Sequence, residues 1–295
     1  MMDRTKGIGG TDIAAIMGVS PWRCALDVYC EKRGLTQAEL VTSEAAYWGT
    51  QLEAVIFRRY MTDLGCADDR DAAVIGSECV RDGWMIAHPD AIVSPRGESI
   101  RGVEIKTAGR SQAKRWFAPP DGMIPLEYEL QCRWYMAVRE LPIWDVAVLI
   151  GGQDYRCYRL ARDADKETGI ITAAKKFWTE NVQAGMPPPP DSSEAATKRL
   201  ALLYPDVKGE IIGGDADVES WAFKLRERKA ALKQAEADVR DAENQIKAAI
   251  GDHAGVKGVW GMATWKTVEK APYSVKASKY RQFRVTFAAE EDEDE

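Results

Sequence analysis

Two charged side chains interrupt an otherwise apolar predicted strand in the middle of the chain. In RGVEIKT, residues 101–107, Glu104 and Lys106 alternate with Val103 and Ile105. Because successive side chains of a strand point to opposite faces, the two charged residues share one face and the two apolar residues share the other. If the apolar pair faces the core, the carboxylate and the ammonium face a cleft.

A second carboxylate precedes this strand. Asp90 follows Pro89 between two apolar runs in WMIAHPDAIVS. Carboxylate oxygens bind hard divalent cations, which neutralise phosphate charge and lower the pKa of a bound water. Lys106 would orient that water and stabilise developing negative charge. The layout predicts phosphodiester hydrolysis, although Glu-x-Lys also occurs on amphipathic strands as a solvated or salt-bridged pair.

The composition is that of an ordinary globular protein. The 295 residues include 45% hydrophobic and 29% charged side chains, which is enough for a sizeable core. No apolar run approaches the roughly 18 residues of a membrane span, so we expect a cytoplasmic location without membrane contact. The six cysteines are scattered without a CxxC pair, which argues against zinc and iron–sulfur sites.

The charge is unevenly distributed. The formal net charge is −6, and the last six residues, 290–295, are all acidic. Without these six the 46 acidic residues fall to 40, equal to the lysines and arginines, so a basic face for nucleic acid is compatible with the acidic total. We expect the tail to be disordered and solvated, with competition against DNA as the sharper alternative.

Periodicity assigns the elements around the charged strand. Helical patterns cover 11–33, in two pieces, and 43–65, where Glu53 lies beside the apolar face. Short strands separated by glycine and charged turns occupy 72–107. A further helix covers 126–139. This order predicts an α/β fold.

Five segments in a fixed order carry a family resemblance. They are GIGGTDIAAIMGVSPW, WGTQLE, HPDAIV, GVEIKT and IPLEYELQCRWYMAV. Over about residues 3–185 the chain resembles the lambda exonuclease and YqaJ-type viral recombinase family of the PD-(D/E)xK nuclease superfamily. The resemblance implies a nuclease core with a mixed central sheet flanked by helices. His88 departs from the family, which has a small or hydroxyl residue before Pro-Asp.

The resemblance implies a role for individual residues of the site. Lys106 lies beside the attacking water, and Gln131 lines the site, although a glutamine on this helix is also compatible with a polar core residue. Two Mg²⁺ ions are implied, with Mn²⁺ as a substitute. The implied metal ligands all supply oxygen atoms: Asp90, Glu104, the backbone carbonyl of Ile105 and, for the second ion, Glu53.

Further residues are expected to contact DNA. Arg4 matches the position from which the family reaches a 5′-phosphate, Thr11 matches a neighbouring hydroxyl, and Tyr128 accompanies Gln131. A solvated terminal arginine and a merely packed tyrosine are the plainer alternatives. Three basic residues follow the charged strand, where a phosphate backbone would pass the metals without sequence readout: Arg110, Lys114 and Arg115.

Trp116 and His88 each allow two interpretations. Trp116 follows the basic residues and would either stack on an exposed base or be buried against a helix. His88 would either donate to a phosphate or have a structural role.

The chain changes character beyond residue 185. We predict a PD-(D/E)xK core over 1–190, a proline-containing connector over 191–218, a helical and β extension over 219–289, and the acidic tail. In the extension, GVWGMATWKTVEK and KYRQFRVTFA alternate as two antiparallel strands. The six basic residues of this region would extend the DNA track: Lys266, Lys270, Lys276, Lys279, Arg281 and Arg284.

The helix of this extension, over 219–250, repeats apolar residues every seven positions. Leu225, Leu232, Val239 and Ile246 form one row, and Arg228 interrupts the interleaved row. This pattern is typical of a coiled coil or helical hairpin, with docking on the core and pairing with another chain both open.

The predicted function is that of a phage-type alkaline exonuclease. It would degrade duplex DNA from the 5′ end by Mg²⁺-dependent hydrolysis and leave 3′ single strands for recombination. The resemblance further implies a homotrimer, a single-strand annealing recombinase as partner, and a phage or prophage origin. The alternatives are an endonuclease with the same metal site and a non-catalytic DNA-binding recombination accessory.

Overall fold

The computed structural model contains two compact units, Met1–Leu203 and Tyr204–Glu295. The residues that the structure describes are 3–35, 43–66, 72–75, 78–95, 97–116, 123–207 and 209–268. None of the helices within these ranges is long and apolar enough to cross a membrane.

The first unit alternates helices and strands. In chain order its elements are β1 (Ile8–Gly9), α1 (Gly10–Ile16), α2 (Ala25–Lys32), α3 (Glu44–Asp63), β2 (Ala72–Ile75), β3 (Cys79–Arg81), β4 (Met85–Ala87), β5 (Ala91–Pro95), β6 (Arg101–Ala108), α4 (Leu126–Arg139), β7 (Ile143–Ile150), β8 (Asp154–Ala161), α5 (Ala164–Lys176) and α6 (Glu194–Leu203). Short 3-10 turns at Arg4–Lys6 and Arg110–Arg115 and a π-helical segment at Phe177–Gln183 complete it.

A five-stranded mixed sheet organises this unit, in the order β2-β5-β6-β7-β8. β6 and β7 are parallel, and the other neighbours are antiparallel. Because a parallel pair needs a crossover connection, the chain passes through α4 between these two strands. The mixed α/β fold predicted from the sequence is confirmed.

Helix α4 lies in the core of the unit. It packs against α1, β3 and β4 on one side and approaches β6 and β7 on the other. Trp134 and Met136 are fully buried, and the Trp134 indole donates to the Ile86 carbonyl at 2.9 Å. Strand β4 forms a second small sheet, β1-β4-β3. The predicted helix over 126–139 is confirmed at both ends.

Helix α3 covers the other face of the central sheet. Its Ile56 and Tyr60 join Val93 and Val103 in a separate apolar cluster. Val103 therefore faces α3, while Glu104 faces α4, as strand alternation predicts. Ser43 caps α3 by accepting from the Ala46 amide at 3.2 Å.

A buried ionic cluster fastens α3 to the sheet. The Asp145 carboxylate on β7 accepts from the Tyr60 hydroxyl at 2.8 Å and from the Arg159 guanidinium at 2.8 Å. The Arg101 guanidinium lies 3.4 Å from the same carboxylate. Arg101 and Asp145 are both almost fully buried. Because their charges are opposite, each residue offsets the energetic cost of burying the other.

The first unit extends to Leu203, whereas the proline run predicts its end at residue 190. Helix α6 lies inside the predicted connector 191–218, buries Ala196, and pairs Arg199 with Asp27 of α2. The prolines end one helical segment, but the chain then returns to the core because α6 has an apolar and a charged contact there.

The second unit contains α7 (Ala216–Ile250) and a hairpin of β9 (Gly255–Gly258) and β10 (Gly261–Thr264). The predicted strand GVWGMATWKTVEK is wrong as a single strand, because Val259 and Trp260 form the hairpin turn. Gly258 permits this turn, since a Cβ there would lie 2.5 Å from the Trp260 indole nitrogen.

Several predictions for the C-terminal region fall outside the described residues. These are the strand KYRQFRVTFA, the acidic tail 290–295 and the basic residues Lys270, Lys276, Lys279, Arg281 and Arg284.

Removing the Asp145 carboxylate should destabilise the first unit. In Asp145→Ala, the buried Arg101 loses one of its two carboxylate partners and keeps only Glu98, while the buried Tyr60 hydroxyl loses its acceptor. We expect a loss of about 3 kcal/mol in the free energy of unfolding. Urea unfolding measures it. Asp154→Ala, which removes an exposed acid, should cost under about 1 kcal/mol. An equally small loss for Asp145→Ala would contradict this role.

Candidate active site

The candidate site is centred on a buried carboxylate between β6 and α4. Glu104 is only 2% exposed. Its Oε1 accepts from the Gln131 side-chain amide at 2.6 Å and from the Lys106 ammonium at 2.5 Å. Its Oε2 is buried and has no hydrogen-bond partner among the described residues. The predicted cleft is therefore a narrow one, closed by α4 on the Glu104 side.

Asp90 joins this site because β5 is shorter than β6. Pairing between the two strands ends at Ala91 and Val103. Beyond that point the edge of β6 is open, and the Asp90 carboxylate accepts from the Ile105 amide at 2.6 Å. In an extended strand the N–H and C=O of one residue point to the same edge, so the Ile105 carbonyl also faces Asp90.

Burial raises the pKa values of the carboxyl groups of the site, and the Asp90 charge adds to this for Glu104 and Glu53. Burial, together with the Asp90 charge, raises the pKa of Glu104 to about 7. Asp90 keeps exposed surface, but crowding by the site desolvates its carboxylate and raises its pKa. Burial and the Asp90 charge also raise the pKa of Glu53, which places this residue of α3 in the same electrostatic neighbourhood. The three acids together concentrate negative charge.

Lys106 is the cation that balances this charge. Burial alone would lower its pKa, but Glu104 and Asp90 outweigh burial and raise it. Lys106 is therefore protonated at neutral pH. Its ammonium lies 5.1 Å from the centre of the Tyr128 ring, a favourable cation–π distance.

The donor chemistry fits a hard divalent cation. Asp90 and Glu104 offer carboxylate oxygens, and the unpartnered Oε2 of Glu104 is a buried acceptor that a cation would satisfy. The described residues contain no group of three or more His, Cys, Asp or Glu side chains set to hold one ion. Glu53 therefore does not complete a ligand group with Asp90 and Glu104 in this arrangement.

Residues 1–142, which include every element of this site, match the model of the YqaJ-like viral recombinase domain. The N-terminal part of the chain is therefore similar to the YqaJ-like viral recombinase domain. It is also 27% identical over 275 residues to the uncharacterized protein YqaJ of Bacillus subtilis (strain 168), a match that covers 91% of this chain and 82% of the relative. The YqaJ-type resemblance predicted from the motifs is confirmed.

Among solved structures, the alkaline exonuclease LHK-Exo from Laribacter hongkongensis is similar to this chain. It shares 20% identity, with a TM-score of 0.45 and coverage of 68% of this chain and 96% of that chain. Its complex with dAMP gives a TM-score of 0.46 at the same coverage. At this level neither similarity carries an argument about the YqaJ-like domain.

Arg4 and Thr11 lie together in the YqaJ-like domain. The Arg4 guanidinium donates to the Thr11 hydroxyl at 2.8 Å, and both residues are exposed. The pair adjoins the site through α1. A Cβ on Gly10 would lie 2.5 Å from the Tyr135 ring, and the Tyr135 hydroxyl accepts from Gln131 at 3.3 Å.

A buried ion pair holds this segment in place. Asp12 accepts from the Gly9 amide at 2.9 Å and pairs with the Lys32 ammonium at 2.7 Å. Lys32 in turn donates to the Arg4 carbonyl at 2.7 Å. Sequence reasoning missed Asp12 and Lys32 as positioning residues, although Asp12 stands three residues after Gly9, the spacing of a helix N-terminal cap.

The three basic residues after β6 differ in their surroundings. Arg110, Lys114 and Arg115 are all exposed. The Arg115 guanidinium lies 2.7 Å from the buried Glu127 carboxylate at the start of α4. This ion pair connects the 3-10 turn Arg110–Arg115 to α4. The phosphate contacts of Arg110 and Lys114 stay a prediction.

The structure decides between the two interpretations of Trp116. Trp116 is 3% exposed and stacks on Tyr128, with ring centroids 5.5 Å apart. It is therefore a packed indole that supports Tyr128 and, through it, Lys106. His88 is exposed and its Nδ1 lies 3.0 Å from Glu78.

Neutralising Glu104 should stabilise the metal-free protein in a pH-dependent manner. Its folded-state pKa is raised to about 7, above the ordinary 4.5, so wild-type stability falls as pH rises through this interval. Glu104→Gln removes that loss. We expect it to gain about 1–3 kcal/mol over wild type above pH 7 and nothing near pH 4.5.

Thermal unfolding in chelator across pH 4.5–8 measures this difference. Glu194→Gln, on an exposed helix position, is the matched control and should follow wild type throughout. If the Tm difference between Glu104→Gln and wild type were the same at every pH, the pKa of Glu104 in the folded protein would not be raised above its ordinary value.

Proposed function

We propose that this protein is a Mg²⁺-dependent exonuclease with a PD-(D/E)xK site that degrades duplex DNA from the 5′ end and leaves 3′ single strands for recombination. The observation that carries the proposal is the buried Glu104 carboxylate, held by Lys106 and Gln131 beside Asp90, with one oxygen unpartnered. The similarity of residues 1–142 to the YqaJ-like viral recombinase domain supports a DNA substrate.

Asp90 and Glu104 would hold the cation, with the Ile105 carbonyl as a third oxygen donor. Glu53 would reach a second ion from α3. When bound, Mg²⁺ or its substitute Mn²⁺ supplies charge neutralisation at the phosphate and acidifies a bound water. The concentration of raised-pKa carboxyl groups supports this assignment, because a divalent cation relieves their mutual repulsion.

The side chains of the site have separate tasks in the proposed hydrolysis. Gln131 fixes the orientation of Glu104 so that its Oε2 points away from Lys106. The protonated Lys106 orients the attacking water and stabilises the charge that develops on the phosphoryl oxygens. Tyr128, packed on Trp116, holds the Lys106 ammonium in place.

The exposed basic residues provide substrate binding without sequence readout. Arg4, with Thr11, would receive a terminal 5′-phosphate, and Arg110 and Lys114 would follow the phosphate backbone. Because contacts with the phosphate backbone do not depend on the base sequence, an exonuclease can make them at every base pair of its substrate. We also propose that this is a phage or prophage protein that acts in the cytoplasm. It would form a homotrimer and have a single-strand annealing recombinase as its partner.

The decisive experiment compares linear and circular DNA. A linear duplex with one labelled, 5′-phosphorylated end should release mononucleotides with Mg²⁺, and a closed circle of the same DNA should stay intact. Lys106→Ala should lower the rate at least about 100-fold by removing transition-state stabilisation. Lys198→Ala, an exposed lysine of α6, is the control and should retain full activity.

Other outcomes would replace the proposal. Cutting of the circle would identify an endonuclease with the same metal site. Absence of cutting with either metal, while DNA is still bound, would identify a recombination accessory.

The role of Arg4 predicts a dependence on the DNA end. Arg4→Ala should slow digestion of 5′-phosphorylated ends about 10-fold or more and leave 5′-hydroxyl ends unaffected, because only the former offer the guanidinium a charge partner. Initial rates on the two substrates measure the ratio. Lys6→Ala, in the same turn, is the matched control and should not change that ratio. Equal slowing of both substrates by Arg4→Ala would rule out a 5′-phosphate contact.

A further inference from the structure

Helix α7 carries a heptad pattern over its length, which Arg228 interrupts once. Its 35 residues extend about 50 Å. Two rows repeat every seven positions and interleave at spacings of three and four, which is the pattern of a left-handed coiled coil. We call these rows the α7 seam: Val218, Leu225, Leu232, Val239 and Ile246 in the first row, and Trp221, Arg228, Ala235, Ala242 and Ala249 in the second.

The α7 seam is exposed within the described part of its unit. Trp221 is 65% exposed, Leu232 58% and Val239 59%. Ile250 at the end of the helix is buried, and β9 packs there. An apolar stripe of this length on a soluble surface marks an interaction site.

The charges beside the seam divide the helix into two halves. Lys224 and Lys229 flank the N-terminal half, and Arg228 lies in the seam between them. The charged residues that flank the C-terminal half are acidic, namely Glu236, Asp238 and Glu243, beside the neutral Gln245, and Asp217 adds one acid at the N-terminal end of the helix. Of these, Glu243 also pairs with Lys247 on the same helix at 2.9 Å.

Parallel pairing of two such helices would bring like charges together. Arg228 would face Arg228 of the second copy inside the seam. Lys224 would lie beside Lys229, and Asp238 beside Glu243, because parallel coiled coils align each of these flanking positions with the one five residues later on the other helix. Like charges at this distance destabilise an interface.

Antiparallel pairing reverses each of these contacts. The basic half of one helix lies along the acidic half of the other. With Leu232 opposite Ala235 at the centre, Lys229 meets Glu236 of the second copy, and the two-fold axis makes this pair twice. The same register sets Leu225 against Ala242 and Val218 against Ala249, so these large seam residues face small ones, while Arg228 faces Val239 and Trp221 faces Ile246.

We propose that α7 pairs antiparallel with α7 of a second copy of this chain. The charge complementarity of Lys229 with Glu236 and the alanines that face Leu225 and Leu232 favour an identical helix as the partner. The assembly does not depend on the proposed nuclease activity. Whatever number of copies the first unit brings together, α7 pairing doubles it.

Charge reversal in the full chain tests both the pairing and its direction. Lys229→Glu and Glu236→Lys should each weaken association about 10-fold, because each sets like charges together twice. The double variant recreates both pairs in exchanged positions and should return to within about 3-fold of wild type. Lys233→Glu, outside the seam, is the control and should match wild type. Sedimentation equilibrium over a concentration series measures all four.

A seam variant gives a second readout. Leu232→Glu should halve the mass of the assembly while circular dichroism shows an intact helix content. Three results would overturn the proposal. A mass unchanged by Leu232→Glu, with a lowered Tm, would show that the chain covers its own seam. Stronger association of Lys229→Glu would show parallel pairing. A double variant as weak as either single one would show that these residues do not pair.

Discussion

The burial of Glu104 is the constraint on which the rest of the first unit depends. A carboxylate that is 2% exposed is expensive to ionise, and its pKa of about 7 expresses this cost. Lys106 and Gln131 satisfy one of its oxygens and leave the other without a partner. The sheet edge, α4 and the Tyr128 stack all act to hold this arrangement, which is poised for a cation and costly without one.

Two other buried acids make the scaffold rigid around it. Asp145 joins α3 to the sheet through Tyr60 and Arg101, and Asp12 joins the N-terminal segment to α2 through Lys32. Both acids are fully paired, in contrast to Glu104. At Asp145 and Asp12 the cost of burying a charge is offset by partners on both carboxylate oxygens. At Glu104 one oxygen has no partner, and this difference distinguishes a functional acid from a structural one.

The second unit follows a different principle. α7 is stabilised along its length by local hydrogen bonds and pairs such as Glu243 with Lys247, and its apolar seam is exposed in the described residues. A single helix gains little from exposed apolar residues, so this pattern has a physical purpose only in contact with another surface. The opposite charges of its two halves favour an identical helix as that surface.

The sequence by itself determined the local features of this protein. Strand alternation placed Glu104 and Lys106 on one face, and helical periodicity gave the bounds of α3 and α4, because both depend on neighbouring residues. Only the tertiary structure decided which other distant groups meet: Lys32 at Asp12 and Glu127 at Arg115. These contacts depend on how α1 and α4 pack against the sheets, and no spacing along the chain encodes that packing.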